Sequence, residues 1–167
     1  MKNYFKLFMQ SKRAQRVTEN TLVFYKSKLG KFLVELDPNA VQRQDIERYL
    51  ARFKNPGNCH AHFRVLRTFF NWREDTFGSP SPMRKMKAPK VPKKILPALT
   101  RELIMILIDS ARKIRDKAII SLFAESGLRL SELTNIKRED MNLGNRIIKV
   151  WVKGQKEAYA TYGDMTA

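Results

Sequence analysis

Apolar residues recur at three- and four-residue steps over most of the first eighty positions, the spacing that lays a stripe along one face of an α-helix. Tyr4, Phe5, Phe8 and Met9 predict a short amphipathic helix that ends in the basic cluster Lys12, Arg13 and Arg16. Thr18, followed by Glu19-Asn20-Thr21, offers a hydroxyl that can cap the amides of a second helix. The stripe of that helix runs through Leu22, Tyr25, Leu29, Phe32, Leu33 and Leu36, and Asp37-Pro38-Asn39 ends it. A third helix is predicted over Gln44 to Phe53 with Ile46, Tyr49 and Leu50 inward, and Asn55-Pro56-Gly57-Asn58 predicts a turn. A fourth runs from about Cys59 to Thr76, its Phe63, Leu66, Phe69 and Phe70 on a core face and its Arg64, Arg67 and Arg73 pointing outward.

From Gly78 to Pro97 the pattern breaks, with five prolines and the unopposed cations Arg84, Lys85, Lys87, Lys90, Lys93 and Lys94. Prolines favour an extended chain, and an extended strip of cations can follow a phosphate backbone; a disordered tether is the alternative. After Thr100, a predicted N-cap, Leu103, Ile106, Leu107 and Ile114 mark one helix and Ala118, Ile119, Leu122 and Phe123 another, stopped near Gly127. A short helix follows from about Leu130, with Leu133 and Ile136 inward. Asn142 to Asn145 turn into a β-branched strand at 146–152, and Glu157 to Tyr162 pair back against it. The pattern therefore predicts a mainly α chain: a helical domain over residues 1–79, a basic proline-rich linker over 80–98, and a mixed α+β domain over 99–167 with a small hairpin or sheet.

Thirty-three Lys and Arg against sixteen Asp and Glu give a formal charge of +17, which self-repels unless a partner supplies negative charge. Nucleic acid is the leading candidate. Residues before Thr100 hold 21 basic and 7 acidic side chains, and the remainder 12 and 9, so the electrostatic grip belongs mainly to the first part. An anionic membrane surface could attract the same charge, but no apolar run approaches spanning length and no signal-peptide pattern opens the chain; a soluble, cytoplasmic, nucleoid-associated protein is expected. The single cysteine, Cys59, stands beside His60 and His62, but three such residues within four positions lack the paired spacing of zinc sites, and no metal is expected there. The aromatics of the fourth helix are read as packing in preference to base-stacking platforms.

Chemistry concentrates in Gly127-Leu128-Arg129-Leu130-Ser131-Glu132-Leu133 and in Lys153-Gly154-Gln155-Lys156-Glu157. A phosphodiester under attack develops charge on its non-bridging oxygens, to which a planar guanidinium donates two parallel hydrogen bonds; Arg129 carries that group. Glu132, one turn on along the same face, can hold Arg129 in orientation. Lys153, beside a glycine at a hairpin tip, can reach a leaving oxygen as general acid, and Lys156 is placed to meet a phosphate or solvent.

These two boxes resemble those of the tyrosine recombinases, the phage integrase family. Thr18-Glu19-Asn20-Thr21 resembles the start of a helix in that family's core-binding domain, Phe69-Phe70-Asn71-Trp72 the end of that domain's last helix, and Pro82 to Lys94 with Leu99-Thr100-Arg101-Glu102 the interdomain linker and the start of the catalytic domain. The resemblance implies an all-helical, SAM-like core-binding domain and an α+β catalytic domain that clamp double-stranded DNA, and a mechanism without metal or cofactor. In it a tyrosine attacks the phosphate, two arginines clamp it, and a lysine protonates the leaving 5′ oxygen. Arg129 corresponds to the first clamp arginine, Glu132 to its acidic neighbour and Lys153 to the hairpin lysine. DNA contacts are expected from Lys12, Arg13, Arg16, Arg64, Arg67, Arg73, Arg84, Lys85, Lys87, Lys90, Lys93, Lys94 and Lys156.

The family's later His-x-x-Arg box and nucleophilic tyrosine would lie beyond Ala167, and Tyr159 and Tyr162 fall too early, on the return strand. The chain alone is therefore expected to be inactive, and apolar surface around Leu122, Phe123 and Val152 is expected to favour self-association. Two further readings stand beside this one. A shortened relative would occupy recombination sites, or regulate recombination, without cleaving. A helical transcription regulator of helix-turn-helix type would leave Lys153 and its hairpin unexplained.

Overall fold

The computed structural model describes residues 3–152, 154 and 156–166. It divides into two compact units, Met1–Lys94 and Ile95–Ala167.

The first unit is all helical, with α1 over Tyr4–Ala14, α2 over Glu19–Glu35, α3 over Arg43–Ala51 and α4 over Pro56–Phe77. Thr18 caps α2 by accepting from the Thr21 amide, and Asn55 caps α4 by accepting from the Asn58 amide at 2.9 Å. The Asn55-Pro56-Gly57-Asn58 run, predicted as a turn, is therefore the cap and first turn of α4. Proline suits the first helical position because the amide it lacks would have had no partner there. Phe8, Leu29, Phe32, Ile46, Leu66, Phe69 and Phe70 are fully buried. Phe8 is the hub: its ring meets Tyr25, Phe69 and Trp72 edge-on at centroid distances of 5.4, 5.4 and 5.3 Å. The aromatics of α4 thus pack the core, as their helical spacing predicted.

Three polar groups sit within or against this core. His62 is 1 % exposed, 3.1 Å from the Tyr49 hydroxyl and stacked on Phe53 at 4.2 Å. Arg73, expected to point outward, is instead buried: its guanidinium donates to the Pro38 carbonyl and lies over the rings of Tyr4 and Phe70, while its Nε has no partner among the described residues. The four-residue step from Phe69 puts Arg73 on the core face of α4, and its long stem packs there while its head caps a carbonyl. The Cys59 thiol, half-buried, donates to the Leu50 carbonyl of α3 at 3.4 Å, and burial pushes its pKa up.

Past the left-handed Gly78 that ends α4, the stretch expected as linker starts as part of the first core. Met83 and Met86 are 1 and 6 % exposed within that core, Arg67 donates to the Met86 carbonyl at 2.5 Å, and His60 lies 3.0 Å from the Pro89 carbonyl. Lys85 between the two methionines adopts a positive φ of 61°, an uncommon conformation for a residue with a Cβ. No helix or strand occurs from Lys87 to Thr100.

The second unit comprises α5 (Arg101–Ser110), α6 (Ile114–Ser126), α7 (Leu130–Leu133), a 3-10 turn (Arg138–Asp140) and strands β1 (Met141–Asn142), β2 (Ile147–Val152) and β3 (Lys156–Thr161). The strands form an antiparallel sheet in sequence order, with Val150 opposite Ala158 and Val152 opposite Lys156. Ile114, expected on the same helix as Leu103, opens α6 instead. Ser110 donates to the Leu107 carbonyl and Ala111 turns extended, a local hydrogen bond competing with the helix. Leu122, Ile148, Val150 and Tyr162 form the second core, ringed by Leu128, Leu133, Ile136 and Val152. Leu122 and Val152 are therefore packed, and Phe123 is half-buried. Exposed apolar side chains of this unit include Ile95, Leu96, Leu103, Ile106 and Ile114, and Trp151 on β2; α5 buries none of its residues.

Two outcomes test this first unit. Burial, reinforced by the charges of Lys28 and Lys31, lowers the His62 pKa from 6.5 to about 4. The unfolded chain therefore takes up a proton that the folded one refuses. Stability is complete above pH 6.5 and falls by roughly 1 kcal/mol per pH unit as pH drops toward 4; His62→Gln should flatten that slope in urea titrations. Arg73→Ala should cost about 2–3 kcal/mol in the same titrations through lost stem packing and an orphaned carbonyl, while leaving the salt dependence of DNA binding unchanged.

Candidate active site

The turn between α6 and α7 is built by its own side chains. Gly127 ends α6 at a φ of 64°, a left-handed conformation that glycine adopts without strain. Beside it the Ser126 hydroxyl donates to the Leu122 carbonyl at 2.5 Å and accepts from the Leu128 amide at 3.3 Å, so the chain leaves the helix along a fixed path. Leu128 drops into the second core, and the next residue, Arg129, faces out.

Arg129 is extended and serves as N-cap of α7. Its amide donates to one oxygen of Glu132 at 2.9 Å and its guanidinium to the other at 2.9 Å. Glu132 thereby fixes the backbone and the side chain of the same arginine. Both contacts hold the Glu132 carboxyl below the ordinary glutamate pKa, against the effect of its burial. The carboxylate is 6 % exposed whereas the Arg129 side chain is 75 % exposed. Among the described residues one guanidinium nitrogen of Arg129 donates, to Glu132, and the side chain is otherwise open to solvent.

A second carboxylate lies two residues before Gly127. Glu125 accepts from the Gly163 amide at 3.0 Å, the Met165 amide at 3.1 Å and the Thr166 hydroxyl at 2.6 Å. Glu125 opens the segment that runs into the arginine box, but the sequence assigns it no role, since its partners are 38 to 41 residues away and no periodicity marks them.

The other candidate residues are distributed as follows. Lys153 lies outside the described residues, between β2 and β3 in sequence. Lys156 opens β3, exposed. Tyr159 stands on the outer sheet face opposite Lys149, 71 % exposed, and Tyr162 is buried in the second core. In the first unit, Arg13, Arg16, Arg64, Arg84, Lys85, Lys87, Lys90, Lys93 and Lys94 are exposed. Lys12 bonds Gln15 and lies over the Phe8 ring. Arg67 is exposed yet tethered to Met86 and stacked over Phe63, and Arg73, buried, presents no charge outward. Arg64 shares a shallow groove with Asn20 and Thr21 of the Thr18–Thr21 run and with Thr68, a polar neighbour that the sequence did not single out. Cys59, His60 and His62 each bond a different partner, and among the described residues no group of three or more His, Cys, Asp or Glu is placed to hold a metal. No helix among them is long and apolar enough to cross a membrane.

The sequence model of the phage integrase family matches residues 94–167. The tyrosine recombinase XerA of Pyrococcus horikoshii is 32 % identical over 130 residues, covering 75 % of this chain and 43 % of that protein. A tyrosine recombinase of Thermosipho africanus is 30 % identical over 159 residues, covering 86 % and 56 %. The chain thus spans about half the length of the curated relatives it matches. In fold it is similar to a lambda integrase tetramer solved on a Holliday junction, with a TM-score of 0.81 at 13 % identity over 98 % of this chain and 52 % of that one. With the Arg129–Glu132 turn at the head of α7 and the sheet that follows it, these likenesses agree: the chain belongs to the phage integrase family of tyrosine recombinases.

Proposed function

We propose that this chain is the DNA-gripping part of a site-specific recombinase and supplies the first half of its active site. The observation that carries this reading is the Arg129–Glu132 pair: a guanidinium three-quarters exposed, yet fixed through both its amide and its head group by one buried carboxylate. In the whole protein Arg129 donates to the non-bridging oxygens of the scissile phosphate, where charge grows as the nucleophile attacks. Glu132 holds it in the donating orientation. Lys153 protonates the leaving 5′ oxygen, and strand exchange proceeds through a phosphotyrosine link without metal or cofactor. The place of action is the nucleoid, in the cytoplasm.

Binding itself falls to the first unit and the strip that follows it. The exposed cations from Arg84 to Lys94 start in a turn anchored by Met83 and Met86 and continue into a proline-rich segment without helix or strand, a composition suited to tracking phosphates. Duplex DNA carrying a recombination site is the partner, and the paired subunits of such a reaction meet on it.

Two measurements divide the labour. Binding to a mixed-sequence duplex, followed by fluorescence anisotropy, should give a log–log salt slope near −7 if about eight phosphates are contacted; a slope near zero would contradict the electrostatic argument. Changing Lys85, Lys87, Lys90, Lys93 and Lys94 together to Gln should reduce that slope by about four, whereas Arg129→Ala should reduce it by about one. In the whole recombinase Arg129→Ala should abolish strand cleavage. Equal effects of the two changes on the slope would sink this division.

A further inference from the structure

Glu125 takes no part in the reading above, yet it is the best-coordinated carboxylate of the second unit. Three donors from one short stretch, the amides of Gly163 and Met165 and the hydroxyl of Thr166, converge on its two oxygens. Burial alone would raise its pKa, but these bonds, with a further one from the Thr166 amide, outweigh that effect and hold it below the ordinary glutamate value. The acceptor is therefore an ionised carboxylate at neutral pH. The fit is close: a Cβ on Gly163 would stand 2.6 Å from Glu125 Oε1, so any side chain at 163 would displace the carboxylate from its present position. Arg146, just before β2, pairs with Asp164 in the same stretch, tying it back to the sheet.

The position of Glu125 gives this contact a consequence beyond stability. Its carboxylate lies in the last turn of α6, four residues before Arg129, and the stretch it holds continues directly from β3. The strands β2 and β3 flank Lys153 in sequence. Arg129 follows α6 and the stretch held by Glu125 follows β3, so hydrogen bonds to Glu125 join the α6–α7 turn to the chain that leaves the β2–β3 pair.

We infer that Glu125 is a positioning residue, whose clasp on Gly163–Thr166 sets the Arg129 turn against the β2–β3 hairpin and so fixes where the Arg129 guanidinium meets a phosphate. The inference rests on the phosphate-clamp reading of Arg129. Glu132 orients the arginine on its own turn, and Glu125 orients the turn in the unit. A shorter acid, Glu125→Asp, would leave the carboxylate short of at least one of its donors.

The test is a double-mutant cycle on the 167-residue chain, with affinity for a mixed-sequence DNA duplex as readout and thermal unfolding followed in parallel. Arg129→Ala should weaken binding about tenfold, the loss expected of one charge-assisted hydrogen-bonding group. Glu125→Gln should weaken it about fivefold in the parent chain and not at all in the Arg129→Ala background, while lowering the melting temperature equally in both. A purely structural role predicts the same affinity loss in both backgrounds, and that result overturns the inference, as does an unchanged affinity in the parent. If Glu125→Gln does not fold, Thr166→Val, which removes only the 2.6 Å hydroxyl donor, replaces it in the same cycle: a smaller loss confined to the parent background supports the inference, and an equal loss in both, or none in the parent, overturns it. An Arg129→Ala chain that binds as tightly as the parent overturns the clamp reading itself and with it this inference, an outcome visible in that single variant alone.

Discussion

An arginine that contacts a charged ligand must keep its head group in water and its geometry fixed, and these demands oppose each other. A long exposed side chain carries about 2 kcal/mol of rotamer entropy, which is lost when it is held still. Here the two are reconciled by burying the partner and leaving the arginine outside: Glu132 is 6 % exposed and binds Arg129 through its amide and its guanidinium at once. A carboxylate so buried would be costly without such donors, and the turn that Gly127, Ser126 and Leu128 form is what delivers them.

The first unit meets a different constraint. It holds 21 basic side chains against 7 acidic ones, so attraction among its charges cannot hold it together, and cohesion is left to apolar burial, with aliphatic residues such as Leu29, Ile46 and Leu66 packed among edge-on rings around Phe8, Phe32 and Phe69. Even its buried cation follows this rule, Arg73 being sandwiched with Tyr4 and Phe70 and not with a carboxylate. A core without charge pairs leaves the surface free to be cationic, and salt bridges such as Arg43–Glu47 within α3 and Arg52–Glu35, which links the end of α3 to α2, are exposed.

How much of this the sequence discloses depends on how far apart the interacting residues lie. Periodicity and capping act within a turn or two, so the helices of the first unit, the caps at Thr18 and Thr100, the stop at Gly127 and the Arg129–Glu132 pair are all directly legible. Local chemistry with two readings is harder: Asn55-Pro56-Gly57-Asn58 has turn residues and also a cap followed by a proline at the first helical position, and the cap prevails. Arg73 misleads because its residue type suggests the surface while its place on α4 is the core face. Met83 and Met86 are hidden by the prolines and lysines around them, since composition describes the average of a segment and burial concerns single residues. Glu125 is out of reach because its donors lie 38 to 41 residues further along the chain, after β3.

The arrangement around Cys59 carries a practical consequence. The chain has one thiol, and it sits on α4 donating to a carbonyl of α3, with its ionisation suppressed by burial. Only the thiolate reacts with alkylating or disulfide reagents, so the folded protein is labelled more slowly than the unfolded chain, whose thiol carries neither the burial nor the carbonyl bond. The rate of a single chemical labelling event then reports how tightly α3 holds α4 at Leu50 and Cys59, readable by mass spectrometry on DNA-bound and free protein without altering any residue.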